Sequence, residues 1–273
     1  MNTYVSEKKP RVDPSLYSKE YFLTDNEGWR EYAAGLADHI HPKFKRAIEL
    51  ALPTKSDNIL DIGCGRGELL YYCARYGAKA FGIDYSPAAI AITRQTLKRL
   101  TQNERKNTSA EVGDPTTYDF RDNKYTIIFM IETLEHMHDW QLKELFSRVG
   151  DILTEDGRLI VITPNYYYEK YLLPIKRILN LPWNVLKIPI RMTKSKYRKS
   201  GFGALLSKAF RIWPDRGDLN RKTHVNVTTP AKVKRLLKDF EASIWCEDHS
   251  RNIISLLMRR WWGRDIVAIA RKR

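Results

Sequence analysis

Residues 58–70, NILDIGCGRGELL, decide the fold. Ile59, Leu60 and Ile62 make the short apolar run expected of a strand buried on both faces, and Glu68, Leu69 and Leu70 open a helical pattern. Between them Gly63, Gly65 and Gly67 let the main chain take positive φ and approach a ligand that a Cβ would hold away. The GxGxG spacing is neither the GxGxxG of a dinucleotide-binding turn nor the GxxxxGK[ST] of a phosphate-cradling loop, and no lysine follows it. Asp61 precedes the glycines, where a carboxylate can pair with a positively charged or amino-bearing ligand. The stretch therefore reads as a strand, a nucleotide-binding turn and a helix.

Two further acidic residues follow in order. KAFGIDYSPAAI places Asp84 at the end of an apolar run about 20 residues beyond the glycines, the spacing of a ribose-binding carboxylate. Ser86 and Pro87 then read as the N-cap and first-turn proline of the next helix. EVGDPTTYDF supplies Asp114. Taken singly, each aspartate could be a turn or capping residue of any α/β protein. Taken in sequence after GxGxG, they make the chain resemble the class I S-adenosylmethionine (SAM)-dependent methyltransferases. The resemblance implies that Asp61, Gly63, Cys64, Gly65 and Gly67 wrap the methionine part of SAM. It further implies that Asp84, followed by Tyr85, holds the ribose hydroxyls, and that Asp114 lies beside the adenine amino group.

Outward from this turn, strands fit residues 57–62, 79–84, 109–112, 124–131 and 157–163, and helices fit 67–76, 87–102 and 139–153. Such alternation predicts a parallel sheet with right-handed crossovers and helices on both faces. Residues 1–27 read as a polar arm, and 28–51 as helical with an interruption near Pro42. After a long break, 229–240 resume as a helix, followed by strand-like ASIWCED and GRDIVAIARK. That ending resembles the family's final antiparallel pair, giving a Rossmann-like, seven-stranded, mostly parallel α/β sheet. The expected organisation is an N-terminal arm and helix (1–51), a SAM-binding methyltransferase domain (52–164 and 224–273) and an insertion after strand 5 (165–223).

The insertion carries fourteen Lys and Arg against Glu169, Asp215 and Asp218, so most of the formal net charge of +15 is local to it. Large apolar residues are interleaved with the charge in YLLPIKRILNLPWNVLKIPIRM, and Pro174, Pro182 and Pro189 forbid one continuous helix. Three readings fit. The segment lies on an anionic membrane surface, with Arg259, Arg260, Trp261 and Trp262 as a second anchor. It packs on the catalytic domain as a substrate lid with its lysines in solvent. Or it recruits nucleic acid, which the preponderance of aliphatic over stacking aromatic residues in its first half disfavours.

FMIETLEHM, residues 129–137, falls at the carboxyl end of the fourth strand, the ligand edge of an open α/β sheet. Glu132, Glu135 and His136 stand at i, i+3 and i+4 and share one face if the strand runs straight into a helical turn. Two carboxylates and an imidazole suit a divalent ion, with oxygen donors favouring magnesium or manganese and the imidazole permitting zinc. ExxEH, the later TPN at 163–165 and His224 in KTHVNVTTP resemble metal-assisted O-methyltransferases, among them the ubiquinone-pathway and small-RNA 3′-terminal 2′-O-methyltransferases. That resemblance implies Glu132, Glu135, His136 and His224 as catalytic residues and metal ligands. The alternative is a metal-free site in which His136 is the general base or a pocket residue, and His138 and Asp139 start the next helix. His39, His41 and His249 carry no supporting pattern and read as structural.

Three cysteines, Cys64, Cys73 and Cys246, show neither paired zinc spacing nor an even disulfide count, which predicts a reducing compartment. The polar start carries no secretory h-region, and no run of about 20 apolar residues suggests a membrane span. A cytoplasmic protein, peripheral at the membrane if the first insertion reading holds, is expected. The resemblance implies SAM-dependent O-methylation of a hydroxyl on a small or lipid-linked molecule such as a quinone precursor or glycan. The alternatives are an RNA 2′-O-methyltransferase and a SAM-binding protein without catalysis.

Overall fold

β1 (Asn58–Ile62) lies at the middle of a seven-stranded sheet of order β3-β2-β1-β4-β5-β7-β6. Its neighbours are β2 (Lys79–Asp84) and β4 (Tyr125–Ile131), both parallel to it, with Asp61 beside Gly82 on one side and Phe129 on the other. β3 (Thr108–Val112) closes one edge, β5 (Leu153–Pro164) continues the parallel part, and β7 (Asp265–Lys272) runs antiparallel to both β5 and β6 (Phe240–Glu247). The computed structural model describes residues 10–36, 39–120, 123–192, 201–213, 217–248 and 263–273. His249 and the Arg259 to Trp262 cluster lie outside them.

The continuous apolar runs follow from burial on both faces. Ile59, Ile127 and Phe129 pack into a core with Leu69, Leu70 and Ile90, while Leu60, Ile62, Ile128 and Met130 pack into a second core with Leu142, Leu145 and Val149. Period-two alternation thus serves two apolar environments, and apart from half-buried Asn58 and Thr126 every residue of β1 and β4 is buried. The helices are α1 (Trp29–Ala34), α2 (Pro42–Ala51), α3 (Glu68–Arg75), α4 (Pro87–Leu97), α5 (Gln102–Arg105) and α6 (Asp139–Ile152).

The interruption expected near Pro42 falls just before it, and Pro42 itself starts α2. α1 ends at Gly35, whose φ of 112° closes the helix, and His41 is extended before the proline. The 87–102 helix also divides, because a capping box between Thr101 and Glu104 begins α5. Beyond β5, three short helices, Leu173–Leu179, Leu181–Leu186 and Ile188–Met192, each carry proline in the first turn. Helices Phe202–Phe210, Gly217–Thr223 and Pro230–Leu236 then lead to β6.

Strand order reverses at β1, whose two neighbours are reached by crossovers in opposite directions. The carboxyl ends of β1, β2 and β4 open into one crevice there, as such a switch point requires.

Candidate active site

A cavity of about 800 Å³ occupies this crevice, walled by Asp61, Gly63, Cys64, Gly65, Asp84 and Asp114 at one end and by Glu132, Glu135, His136 and His224 at the other. Tyr85 also lines it, and Gly67 sits behind at the start of α3.

Left-handed backbone at Gly63, Gly65 and Gly67 (φ 76°, 53° and 75°) turns the chain from β1 into α3. At Gly63 a Cβ would meet Thr133 Oγ1 at 2.5 Å, so glycine is required there by packing as well as by φ. Gly65 is different: its nearest obstacle would be Phe22 Cε1 at 3.6 Å. Its missing side chain therefore leaves main chain open to the cavity.

Asp84 ends β2 with both carboxylate oxygens engaged, accepting from Gly65 N (3.0 Å) and Ser86 N (2.9 Å). Burial pushes it up to about 6 despite those two bonds, which pull the other way. Asp61 is buried with no cation paired to it among the described residues, and burial, with Asp84 adding repulsion, pushes it up to about 8. A buried carboxyl in need of a counter-charge, beside backbone that a side chain would block, fits the amino-acid part of SAM. Asp114 accepts from Thr116 N at 2.8 Å and pairs with Arg11, which stacks 4.9 Å over Trp140. The Cys64 thiol is buried 3.9 Å from Thr93 Oγ1 and raised well above its ordinary value by burial, so it packs and does not react.

The arm before α1 is not a solvated tail in residues 10–27. It lies across the cavity, with Tyr17, Tyr21 and Phe22 buried. Arg66, within the glycine turn, fastens it: its guanidinium donates to Phe22 O (2.9 Å), Asn26 Oδ1 (2.8 Å) and Glu27 O (2.9 Å), and pairs with Glu68. Ser86 Oγ donates to Tyr17 O (2.8 Å), and Tyr85 donates to Val12 O (3.1 Å). The arm is thus held by residues of the glycine turn and of the turn that follows Asp84.

At the other end, β4 leaves through Glu132 in a left-handed conformation (φ 55°) into a single 3-10 turn, Leu134–His136. This break defeats the shared face expected for Glu132, Glu135 and His136. Glu132 instead pairs with the buried Lys43 at 2.8 Å. One ligand atom from each of Glu135, His136 and His224 lie within 4.8 Å of one another, and Glu132 is not in that cluster. The two imidazoles meet edge to face at 4.8 Å between centroids. His224 reaches them across the insertion because the following main chain docks on the turn: Asn226 N donates to Glu135 O (3.0 Å), and Asn226 Nδ2 to Met137 O (2.7 Å).

His136 Nδ1 lies 3.2 Å from Thr223 O and 2.8 Å from the Tyr17 hydroxyl. If Nδ1 carries the ring hydrogen, it donates to Thr223 O, which only accepts, and the lone pair lies on Nε2. Burial, with His224 alongside, lowers His136 to about 3 and keeps it neutral. Glu135 accepts from Thr163 Oγ1 (3.0 Å) and is pushed well above the carboxylate range by burial and by Glu132.

Lys43 was not foreseen from sequence. It is buried among Glu27 (2.9 Å), Glu132 and Asp265 (3.3 Å), joining the arm, β4 and β7. Burial alone would discharge it, but these three carboxylates outweigh that and raise it. Glu132 remains pushed up to about 7 by burial, against the pull of Lys43. A lone lysine in an amphipathic helix gives no sequence signal of this kind.

This switch-point crevice with its glycine turn places the molecule among class I SAM-dependent methyltransferase folds. The chain belongs to the methyltransferase-domain family, whose model matches residues 30–247. Its cofactor is accordingly SAM. The ubiquinone biosynthesis O-methyltransferase of Azorhizobium caulinodans is 30% identical over 125 residues, 45% of this chain and 46% of that protein. The probable chloroplastic tocopherol O-methyltransferase of Oryza sativa subsp. japonica is 28% identical over 140 residues, 48% of this chain and 38% of that protein. The chain thus spans less than half the length of these two relatives. Among solved structures, the methyltransferase domain of bacterial CtHen1-C aligns at a TM-score of 0.53 with 14% identity, covering 84% of this chain and 96% of that one. TehB from Haemophilus influenzae aligns at 0.52 with 14% identity, covering 93% and 67%. At such identities the likeness is one of fold.

Proposed function

We propose that the chain transfers a methyl group from SAM to a hydroxyl of a small or lipid-linked acceptor. The observation that carries the proposal is the convergence of Glu135, His136 and His224 in the same cavity as the glycine turn and Asp84. Bound SAM supplies an activated methyl on its sulfonium. The chain's own work is to hold the acceptor in line with it, exclude water and take the acceptor's proton.

Asp61, Gly63, Gly65 and Asp84 bind the cofactor in this reading, with Gly67, Cys64 and Tyr85 shaping the turn and Asp114 at the far end. The arm excludes water, since Tyr17 and Tyr21 lie buried over the cavity. His136 presents a neutral lone pair, oriented through Nδ1 by Thr223 and Tyr17. With its conjugate acid near 3, it is a weak base for an unassisted aliphatic alcohol, whose proton is held far more tightly. A phenolic hydroxyl, pKa about 10, suits it better, as does a hydroxyl acidified by a cation. Glu135, His136 and His224 fit such a cation: one oxygen and two nitrogen donors leave positions open for a substrate, and a divalent ion held there would polarise the acceptor oxygen. Glu132 lies outside this donor set, held by Lys43.

The wall also speaks to the acceptor's charge. Eleven Asp and Glu line the cavity against four Lys and Arg, in a protein of net charge +15. Burial pushes Asp61 up to about 8, Glu132 up to about 7 and Glu135 well above the carboxylate range, so the preference for a neutral or cationic small acceptor over RNA rests on the carboxylates that remain ionised.

The test is a panel of catechols, hydroquinones, sugars and a short RNA, each read by mass spectrometry for the gain of one methyl, with wild type and His136→Gln. A methylated phenolic acceptor, with turnover about 100-fold lower in the variant and SAM affinity unchanged, is expected. Methylation of RNA alone, or equal turnover by the variant, would refute the assignment.

A further inference from the structure

We infer that the three helices following β5 form a docking face for an anionic lipid bilayer, from which a lipid-linked acceptor reaches the adjoining cavity; the acceptor clause rests on the function proposed above. Ile175, Ile178, Leu179, Trp183, Leu186 and Ile190, spread over all three helices, are each between 51% and 66% exposed. A lid packed on the catalytic domain would have buried them. The segment is nonetheless fixed to the domain: Lys176 pairs with Asp248 at 2.9 Å, and Leu172, Pro174 and Ile188 are buried beneath. Leu172, apolar in sequence like its neighbours, is therefore core and no part of the exposed face.

Charge selects the occupant. From Lys170 to Trp213 the sequence holds eleven Lys and Arg and no Asp or Glu. A protein partner's interface mixes both signs around an apolar centre, whereas an anionic bilayer offers apolar depth beneath a uniformly negative surface. Lys187 lies 4.7 Å over the Trp183 ring, and Lys170 5.2 Å from that of Tyr171, so charge and apolar surface alternate within single contacts. RNA would neutralise the lysines and leave the aliphatic side chains in water. None of these helices is long enough to cross a membrane, so the contact is interfacial. Tyr168, Glu169 and Leu173, from the same stretch, line the cavity, so its wall is continuous with the exposed face.

Sedimentation of the full chain with vesicles of phosphatidylcholine alone, or mixed with phosphatidylglycerol, tests this. Binding to the mixed vesicles only, weakened by salt, is expected, with at least a tenfold loss for Trp183→Ser combined with Leu186→Ser. SAM calorimetry on the double variant reports that it is folded. No vesicle binding, equal binding to neutral vesicles, or unchanged binding by the variant would overturn the inference, as would salt-sensitive RNA retention that survives the double substitution without vesicle binding. Vesicle binding is read without acceptor, so a failed methylation assay with vesicle binding intact refutes the site reading alone.

Discussion

If Asp61 must lose a proton to pair with the cofactor's ammonium, as the proposed function has it, lowering the pH from about 8 to about 6 should weaken SAM binding about 25-fold. Burial and the neighbouring Asp84 hold Asp61 at about 8 in the free protein, against an ordinary 3.8. Two pH units below that value, ionising it costs about 2.7 kcal/mol. An α-amino group titrates near 8 as well, so above that pH the ligand loses the charge that Asp61 seeks. Affinity should therefore peak near pH 8, with a proton released on binding at pH 7 and one taken up at pH 9. Titration calorimetry in buffers of different ionisation enthalpy counts these protons directly. Asp61→Asn should abolish the release, leaving a weaker contribution at lower pH from Asp84, held at about 6. The linkage also has a sign in the free protein. A carboxyl whose folded pKa is raised holds its proton where the unfolded chain does not, so stability falls as pH rises from about 4 to about 8. Asp61→Asn should flatten that slope. Proton release that is absent at pH 7, or that persists in Asp61→Asn, would refute the reasoning.

Two further outcomes follow from the same cavity. Tyr17→Phe keeps the ring packing but removes the hydroxyl from His136, and should lower kcat about 2- to 13-fold with SAM affinity unchanged; steady-state kinetics with an unaltered kcat would deny Tyr17 a positioning role. Gly63→Ala combines unfavourable φ, about 1 to 2 kcal/mol, with a Cβ set 2.5 Å from Thr133 Oγ1, and should destabilise the fold by more than Gly65→Ala, whose Cβ meets nothing nearer than 3.6 Å. Urea denaturation that ranks the two glycines in the opposite order would refute the packing argument.

The parts of the molecule legible in the sequence are those written in consecutive residues. β1, the glycine turn and Asp84 are specified by local apolar runs, by φ and by a fixed spacing; the first five strands follow from such periodicities, and the last two from the resemblance of the ending to the family's antiparallel pair. The arm was illegible because its anchors lie elsewhere. Nothing in VDPSLYSKEYFLTDNE marks Tyr17 and Phe22 as buried until Arg66 and Ser86, about 40 and 70 residues away, bind its main chain. Glu132 was misplaced for a local reason, since a positive φ at the strand end breaks the i, i+3, i+4 rule that assumes unbroken helix. His224 is visible only through its resemblance to a motif, because what delivers it is the docking of Asn226, by its main-chain and side-chain amides, on the carbonyls of Glu135 and Met137, which no local pattern announces.

The division of charge follows from these placements. The basic segment can draw an anionic surface toward the molecule, whereas the cavity beside it is lined by carboxyls, several held neutral by burial, so attraction to the protein and admission to the site rest on different groups. Lys43 pairs with Glu27, Glu132 and Asp265 where the three carboxylates meet. By holding Glu132, it keeps the donor set at Glu135, His136 and His224 to a single carboxylate. In the proposed metal-assisted reading, one carboxylate beside two imidazoles suits zinc or another nitrogen-tolerant cation better than magnesium.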